Sequence, residues 1–410
     1  MESGLKLIDL FAGCGGLSLG LEQAGFDPLL ASEVSKDAME TYLANRDAKK
    51  IKAEYDIYDL NDDTLDRYLD EWGVDIDLVA GGPPCQGYSG IGHRRTFDVE
   101  RKDIPSNQLY LEMKRVIEKV RPKIFLFENV KGLLSGRWTK SGEKGEIWRD
   151  VSDAMKSIDG YVARHSLVQA KNYGVPQNRP RVLLVGIRED LANCPSSDCP
   201  EDAIEAGILP DKNGESPPNL DDLLGDLIDD NYVPGLKSNE KYLNPPHSKV
   251  QKHLRSKNGK LVLRKGSPLT QQDYSSHKPQ IIEKFQWMID NQEWKRDELP
   301  EKWRTKKFAQ RLLQARWKDE PNITATSLAD DYVHFCQPRV LTVREWARLQ
   351  MFPDWYDFKG PRTTGGRRRA GDPDAGIWDR DVPRYTQIGN AVPVRLAELV
   401  GLHLKKKFLT

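Results

Sequence analysis

Short apolar runs alternate with amphipathic stretches through the first 190 residues of the chain. Apolar runs bounded by turn residues are typical of buried strands, and here they predict strands at 6–10, 29–33, 76–80, 124–127 and 181–187. Apolar residues at helical spacing predict helices at 17–24, 37–45 and 109–120. The alternation indicates a doubly wound, Rossmann-like α/β domain with a parallel sheet, in which ligands bind at the carboxyl ends of the strands.

The regular alternation is lost between 190 and 335. Proline and glycine interrupt this part of the chain, and no strand–helix repeat continues through it. We therefore predict a separate, smaller and irregular domain over 190–335. Beyond it, periodic apolar positions predict two further helices, at 341–351 and 394–407.

The chain carries 62 basic and 62 acidic residues among 410, so its net charge does not favour a nucleic-acid partner. The composition, with 38% apolar and 30% charged residues, is that of a globular protein large enough for two domains. The charge is unevenly distributed, because 191–240 holds 2 basic and 12 acidic residues whereas 241–320 holds 19 and 9. The basic stretch suits contact with a polyanion, and a solvated charged surface explains it equally well.

The start of the chain lacks the basic and apolar segments of a signal peptide, and no apolar run is long enough to span a membrane. The five cysteines, at 14, 85, 194, 199 and 336, are odd in number and widely spaced, which is typical of a reducing compartment. Cys194 and Cys199 are the only close pair, and nothing near them completes a zinc site. We predict a soluble intracellular protein without a structural metal.

A glycine-rich turn, Asp-Leu-Phe-Ala-Gly-Cys-Gly-Gly at 9–16, follows the first strand and opens the first helix. Glycines there let a ligand approach the backbone closely. Because the spacing differs from the dinucleotide-binding G-x-G-x-x-G pattern, we predict a different nucleoside ligand. Glu33 ends the second strand and can hold ribose hydroxyls, and Asp56 follows a third strand and can meet an adenine amino group. Taken alone, each acid is also typical of a surface or capping residue.

Cys85 follows Gly-Gly-Pro-Pro at the end of the strand at 76–80. A lone cysteine is usually a buried structural residue, and a nucleophilic one needs an electropositive site that favours its thiolate. The two prolines direct the side chain over the sheet edge. The following loop, which runs to Gln108 and is rich in glycine and basic residues, is typical of a lid. This setting favours a nucleophile.

A carboxyl group and two guanidinium groups are predicted near this thiol. Glu128 ends the next strand at the same sheet edge. Arg179 and Arg181 enter another strand two positions apart, so their side chains point the same way. Together these groups suit an attack on an electron-poor ring, its protonation and the binding of its oxygen.

Taken together, the motifs resemble the DNA (cytosine-5) methyltransferase family, of the prokaryotic modification type. The matching segments occur in the family's order, at 9–16, 33, 56–57, 83–86, 128–130, 177–181, 339–354 and 387–393. Single motifs have little specificity, whereas the ordered set is highly specific. The resemblance covers 7–187 and 339–400, and the interior of 190–335 matches chiefly by its position.

The resemblance implies a sequence-specific enzyme that acts on double-stranded DNA. It would methylate C5 of a cytosine that is flipped out of the duplex, with S-adenosylmethionine as the methyl donor. Cys85 would add to C6 of the ring and form a covalent intermediate. Glu128 would engage N3 and the exocyclic amine, while Arg179 and Arg181 would support the base and the closed lid. Two further substrate-binding residues are implied, Gln86 and Ser89.

The resemblance also implies the cofactor pocket and the domain organisation. The implied cofactor contacts are Phe11, Ala12, Gly13, Cys14, Gly15, Gly16, Leu17, Glu33, Val34, Asp56, Ile57, Pro84, Leu109, Asn390 and Val392. The last two require the C-terminal helix to return to the first strand, so the catalytic domain would be formed by 1–189 and 336–410. The target-recognition domain would be 190–335, and the reaction needs no metal.

Two segments depart from the family pattern. Gly87-Tyr88-Ser89 replaces residues that are commonly an alanine or glycine and a phenylalanine, which affects packing rather than chemistry. The segment 359–384 separates the last two motifs and contains three consecutive arginines at 367–369. A contact with the DNA backbone and a solvated loop explain these arginines equally well.

The expected setting is that of a monomeric, cytoplasmic, nucleoid-associated prokaryotic enzyme, with a possible cognate restriction endonuclease acting separately. Two alternatives remain open. The tRNA-methylating branch of the family has a shorter recognition segment than this chain. A non-catalytic DNA-binding homologue would not need the intact Cys85, Glu128, Arg179 and Arg181. Trp287, Trp294, Trp303 and Trp317 lie among the basic residues of 241–320, and large aromatic residues at such spacing mostly belong to a core.

Overall fold

A computed structural model of the protein describes residues 4–84, 105–139, 141–192, 197–212, 214–293, 296–304, 310–363 and 381–410. Several predicted features lie outside these residues: Cys85, Gln86, Ser89, most of the loop predicted as a lid, Cys194, Trp294 and the arginines at 367–369.

A seven-stranded sheet forms the centre of the first half of the chain. Its strands are β1 Leu5–Leu10, β2 Phe26–Ser32, β3 Lys52–Glu54, β4 Leu78–Gly81, β5 Ile124–Val130, β6 Tyr161–Gln169 and β7 Pro180–Arg188, in the order β3-β2-β1-β4-β5-β7-β6. Strands β1 to β5 are parallel, whereas β7 runs antiparallel to both β5 and β6. The predicted α/β class is confirmed. The expectation of a wholly parallel sheet is wrong at β7, because a short connection from β6 contains no crossover helix and reverses the chain.

Five helices connect the strands: α1 Gly16–Gln23, α2 Lys36–Ala44, α3 Asp62–Trp72, α4 Tyr110–Val120 and α5 Glu146–Lys156. Local capping explains several of their ends. The side chains of Ser35 and Asn61 accept hydrogen bonds from the first turns of α2 and α3. Gly73 ends α3 in the left-handed conformation, which glycine adopts without a Cβ clash.

The sheet is buried on both faces, as its continuous apolar strands require. Neighbouring residues of one strand contribute to different cores. Leu7 and Leu78 belong to the core that includes α1, whereas Ile8 and Val79 belong to the core that includes α4. The ends of the central strands therefore lie between two packed layers, which fixes the direction of the residues that follow them.

The segment 190–335 is irregular, as predicted. Its helices are α6 Leu220–Leu224, α7 Lys249–Leu254 and α8 Pro279–Asn291, and its strands are the pairs β8 Ser256–Lys257 with β9 Lys260–Leu261 and β10 Arg311–Leu312 with β11 Tyr332–Val333. Trp287 and Trp317 are partly buried against the same apolar cluster as the sheet. Trp303 lies against Trp287, with ring centroids 5.8 Å apart.

The described residues after 335 form three helices: α9 Val343–Leu349, α10 Arg384–Asn390 and α11 Val394–Phe408. A capping box between Thr342 and Glu345 begins α9. Helix α11 lies directly on α1, because a Cβ at Gly20 would be only 2.5 Å from the Cβ of Ala397. The C-terminal residues thus return to the beginning of the sheet. No helix within the described ranges is both long and apolar enough to cross a membrane.

Buried ion pairs connect the segment 190–335 to the C-terminal residues. Arg348 on α9 lies 2.5 Å from both Asp226 and Asp354, and Asp226 is also 2.5 Å from Arg255. The four side chains have no exposed surface. Tyr242 donates a hydrogen bond to Asp354. Each charge is therefore balanced inside the protein, and removal of one would leave another uncompensated.

We expect Asp226→Asn to lower the free energy of unfolding by about 3–5 kcal/mol, because it leaves two buried guanidinium groups short of a negative charge. Denaturant unfolding measures this loss. The matched control is Asp66→Asn, which removes an exposed partner of Lys119 and should cost at most about 1 kcal/mol. Equal losses for the two variants would contradict the importance assigned to the buried charges.

Candidate active site

The glycine-rich turn joins the carboxyl end of β1 to α1. Phe11, Gly13 and Gly15 all have positive φ, at 56°, 55° and 84°. Two backbone hydrogen bonds brace the turn, from Ala12 to the carbonyl of Ser32 and from Gly15 to the carbonyl of Ala12. Apart from its chain neighbours, no atom of the described residues would lie within 4 Å of a Cβ at Gly13, so they leave the turn open to a ligand on this side.

Glu33 holds this turn from the end of β2. One carboxylate oxygen accepts a hydrogen bond from the backbone of Gly13 at 2.9 Å, and the other accepts one from Ser35 at 2.8 Å. Burial raises the pKa of Glu33. Each carboxylate oxygen has two acceptor sites, so both oxygens keep the capacity to accept from a further hydroxyl. The neighbouring Val34 is 77% exposed.

Among the other predicted cofactor residues near the turn, several are buried, whereas Phe11 and Leu109 are partly exposed and Asp56 is exposed. Those buried in the turn and α1 are Ala12, Cys14, Gly16 and Leu17. Burial raises the pKa of the Cys14 thiol to about 12, so it stays protonated. Phe11, Ile57 and Leu109 belong to one apolar cluster. Asp56 caps the short helical turn after β3 by accepting from the backbone of Tyr58.

The end of α10 and the loop before α11 bring Asn390 and Val392 to the same edge of the sheet. Asn390 is exposed and Val392 is buried beside the first residue of α1. Gln350 donates to the carbonyls of Ile388 and Ala391 at 2.7 and 3.0 Å, which fixes the loop. The structure thus brings residues from both ends of the chain around one open turn.

Asp9 was not singled out from the sequence, although a charged residue inside an apolar run is an informative signal. It lies in β1 two residues before Phe11 and is 1% exposed. Neither carboxylate oxygen has a hydrogen-bond partner among the described residues, and the nearby Ser18 hydroxyl is hydrogen-bonded to Tyr42. Burial raises the pKa of Asp9 to about 7.

Glu128 and Arg181 form a buried ion pair at the ends of β5 and β7. Nε of Arg181 lies 2.6 Å from a carboxylate oxygen of Glu128, and the residues are 7% and 8% exposed. These two atoms do not form an aligned hydrogen bond, which leaves hydrogen-bonding capacity on both groups. Burial raises the pKa of Glu128, and the charge of Arg181 opposes this increase.

The same ion pair lies beside the chain that leads to Cys85. A Cβ at Gly82 would be 3.0 Å from the second carboxylate oxygen of Glu128. The side chain of Asn129 donates to the carbonyl of Pro83 at 3.0 Å, and Pro84 is exposed. The segment that follows β4 thus passes the Glu128 carboxyl group before it reaches Cys85, which itself lies outside the described residues.

Arg179 has different contacts from Arg181. Its terminal nitrogens donate to the carbonyls of Ala325, Gly389 and Ala391 at 2.7, 2.6 and 3.1 Å. Arg179 therefore holds the loop that carries Asn390, a contact that no local pattern indicated. The role of Arg179 toward a substrate stays a prediction.

The described residues contain no group of three or more histidine, cysteine, aspartate or glutamate side chains suited to a metal ion. The candidate site combines a buried carboxyl–guanidinium pair with an open turn. Its two parts, the Gly13 turn and the Glu128–Arg181 pair, lie at the carboxyl ends of β1 and β5, separated only by β4.

Comparisons with known proteins cover nearly the whole chain. A family model described as C-5 cytosine-specific DNA methylase matches residues 5–406. The chain is 31% identical to the Type II methyltransferase M.DdeI of Desulfomicrobium norvegicum, over 97% of this chain and 88% of that protein. It is 32% identical to the Type II methyltransferase M.XorII of Xanthomonas oryzae pv. oryzae, over 97% and 84% of the two chains.

Solved structures share the fold. A protein encoded within an E. coli prophage, described as a DNA modification methyltransferase, matches with a TM-score of 0.64 at 23% identity, covering 98% of this chain and 99% of that chain. The Entamoeba histolytica methyltransferase EhMeth matches with a TM-score of 0.56 at 13% identity, covering 99% of each chain. The Rossmann-like architecture is therefore shared across the full length.

We expect Asp9→Asn to stabilise the ligand-free protein increasingly as pH rises from 5 to 7. Asp9 has a pKa near 3.8 when exposed and about 7 when folded, so the folded state resists its ionisation. Wild-type stability therefore falls across this window, whereas the amide does not ionise. The gain at pH 8 should be about 2–4 kcal/mol by denaturant unfolding.

The exposed Asp70→Asn is the control for this measurement, because its carboxyl group is solvated in both states. This variant should not reproduce the stabilisation expected for Asp9→Asn. A constant difference for Asp9→Asn over the same range would contradict the buried, unpaired state of this carboxyl group.

Proposed function

The chain belongs to the C-5 cytosine-specific DNA methylase family, and from this premise we propose a sequence-specific DNA methyltransferase that acts on a flipped cytosine through a covalent Cys85–C6 intermediate. The observation that carries the proposal is the buried Glu128–Arg181 pair beside the Gly82–Pro84 segment. This pair supplies a polar site for a base directly before the proposed nucleophile. The open glycine-rich turn supplies a cofactor site two strands away.

The described residues fit S-adenosylmethionine at the turn. The open side of Gly13 admits the amino-acid part, and the free acceptor sites of Glu33 suit ribose hydroxyls. Phe11, which packs in the same apolar cluster as the buried Ile57, offers apolar surface for adenine. The exposed Asn390 closes the pocket from the C-terminal side. When bound, S-adenosylmethionine supplies an electrophilic methyl group on a positively charged sulfur.

Cys85 is the proposed nucleophile. Its thiolate adds to C6 of the cytosine, which makes C5 nucleophilic enough to take the methyl group. Loss of the proton from C5 then restores the C5–C6 double bond and expels the thiolate. The base must first leave the duplex, which costs a few kcal/mol of stacking and pairing.

Glu128 is proposed to make the ring electrophilic. Because burial raises its pKa, the carboxyl group is suited to share a proton with N3 while its other oxygen accepts from the exocyclic amine. Arg181 keeps the carboxyl group in place and can bind the carbonyl oxygen at C2 of the cytosine. Arg179 supports the base indirectly in this proposal, by holding the 389–391 backbone. Gln86 and Ser89 would add substrate contacts.

Target recognition is assigned in this proposal to 190–335, with 1–189 and 336–410 as the catalytic domain. The sequence 241–272 contains eight basic residues and no acidic residue. Lys252, Lys257, Lys260, Arg264 and Lys265 are all exposed. Two of them flank an Asn258–Gly259 turn, in which both residues have positive φ, as a tight hairpin requires. This basic hairpin suits the phosphates of duplex DNA.

The relatives named Type II methyltransferases suggest the cellular setting. We propose that the protein acts as a monomer on DNA in the prokaryotic cytoplasm, alongside a separate cognate restriction endonuclease. Its activity would then protect the host sequence that the endonuclease cuts.

We expect Cys85→Ala to lower methyl transfer to duplex DNA by on the order of 10³-fold or more, because the addition to C6 has no substitute nucleophile. Transfer of a radioactive methyl group to DNA measures this loss. Wild type should also form a covalent adduct with DNA that contains 5-fluorocytosine, and the variant should not.

Cys336→Ala is the matched control, since it removes an exposed cysteine that has no part in the proposed mechanism and should leave transfer and adduct formation intact. Full methylation by Cys85→Ala would overturn the nucleophile assignment. Transfer to tRNA but not to duplex DNA would overturn the substrate assignment.

We expect the double variant Lys257→Ala, Lys260→Ala to bind duplex DNA with a weaker salt dependence. Each lost phosphate contact should reduce the log–log slope by about 0.9. Fluorescence anisotropy over a series of salt concentrations measures the slope. Lys119→Ala is the control, because this lysine is already paired with Asp66. An unchanged slope for the double variant would remove the hairpin from the DNA-binding surface.

A further inference from the structure

Two residues far apart in the chain hold the carbonyl groups of the glycine-rich turn. The hydroxyl of Tyr356 donates a hydrogen bond to the carbonyl of Cys14 at 2.6 Å. A terminal nitrogen of Arg46 donates to the carbonyl of Gly15 at 3.3 Å, and the other donates to the Tyr356 hydroxyl at 2.9 Å. Tyr356 and Arg46 therefore form one connected unit, here named the turn clamp.

Arg46 is itself firmly positioned. Its Nε donates to Glu22 at 2.8 Å, and a terminal nitrogen donates to the carbonyl of Tyr42 at 2.8 Å. The guanidinium group also lies 3.7 Å from the centre of the Tyr42 ring. The Arg46 side chain is only 4% exposed, so its orientation is set by these contacts rather than by water.

Tyr356 reaches the turn from the segment after α9. The phenol is fully buried and packs against Phe352, with ring centroids 5.0 Å apart. Burial raises the pKa of Tyr356 far above neutrality, so its hydroxyl keeps the proton that it donates to Cys14. The C-terminal segment thus contributes directly to the shape of the turn after β1.

Gly15 is the residue around which the clamp closes. A Cβ at this position would lie 2.9 Å from both terminal nitrogens of Arg46 and from the Tyr356 hydroxyl. Gly15 also has a φ of 84°, which side-chain-bearing residues rarely adopt. The glycine therefore permits both the backbone conformation and the close approach of the clamp.

We propose that Arg46 and Tyr356 are positioning residues for cofactor binding. A carbonyl oxygen that is held by a buried donor fixes its peptide plane, so the clamp fixes the planes on both sides of Gly15. These planes determine the direction in which the turn presents Gly13 to the ligand. The inference rests on the proposed function, because it requires the cofactor to bind at this turn.

Tyr356→Phe removes one hydroxyl and keeps the packing of the ring. We expect the Kd for S-adenosylhomocysteine, measured by calorimetry on the full chain, to rise roughly fivefold to tenfold, the effect of about one buried hydrogen bond. The KM for S-adenosylmethionine should rise similarly, while kcat at saturating cofactor and the KM for DNA stay within about twofold of wild type.

Arg46→Lys keeps the charge beside Glu22 but loses the planar group that contacts two acceptors at once. It should weaken cofactor binding at least as much as Tyr356→Phe. The double variant should weaken binding by less than the product of the single effects, because the two residues act as one unit.

Tyr161→Phe is the matched control. Its buried hydroxyl also donates to a backbone carbonyl, that of Pro122, but at another part of the sheet. It should lower the melting temperature without changing the Kd. If Tyr356→Phe lowers only the melting temperature and leaves the Kd unchanged, the clamp is merely structural and the inference is overturned.

Phe11→Ala separates this result from a failure of the proposed function. If wild type does not bind S-adenosylhomocysteine, or if Phe11→Ala does not weaken its binding, the cofactor assignment to the turn is wrong and the clamp inference is overturned with it. If Phe11→Ala weakens binding and Tyr356→Phe does not, only the clamp inference is overturned.

Discussion

The close contact between the first and last helices is the constraint on which the site depends. Gly16 and Gly20 on α1 leave room for the backbone around Val392 and Val394, and a Cβ at Gly16 would be 2.5 Å from a carbonyl oxygen. No longer side chain fits at these positions without separating the helices. Because α11 is held there, the loop that carries Asn390 lies beside the glycine-rich turn.

A buried ion pair between Arg339 and Glu345 lies at the beginning of α9. Burial alone would raise the pKa of Glu345, but Arg339 lowers it to about 2, and His334 beside this pair is kept neutral because burial lowers its pKa to about 3. Such a pair adds little net stability over apolar packing, yet breaking it is costly. Loss of either partner would therefore disturb α9, which directs the chain toward Tyr356.

The sequence predicted the elements that repeat locally and missed those that depend on distant contacts. The strands at β1, β2, β4, β5 and β7 were predicted because each contains a short, mostly apolar run. Strand β6 was missed, since Arg164 and His165 interrupt its apolar pattern, and the backbone carbonyls that hold Arg164 include those of the distant Cys199 and Pro200. The turn clamp joins residues 310 positions apart, so no local pattern indicates it. Glu33 was recognised because strand ends meet at one edge of the sheet.

The Glu128–Arg181 pair explains why a buried carboxyl group suits the proposed reaction. An isolated buried carboxylate would stay protonated, whereas one with an aligned cation would stay ionised. Here burial raises the pKa of Glu128, and the charge of Arg181 opposes this increase. A cytosine base that binds beside Glu128 would exclude further water and so strengthen the increase of its pKa by burial. Substrate binding itself would thus favour the protonated carboxyl group, at the moment when the ring must be made electrophilic for Cys85.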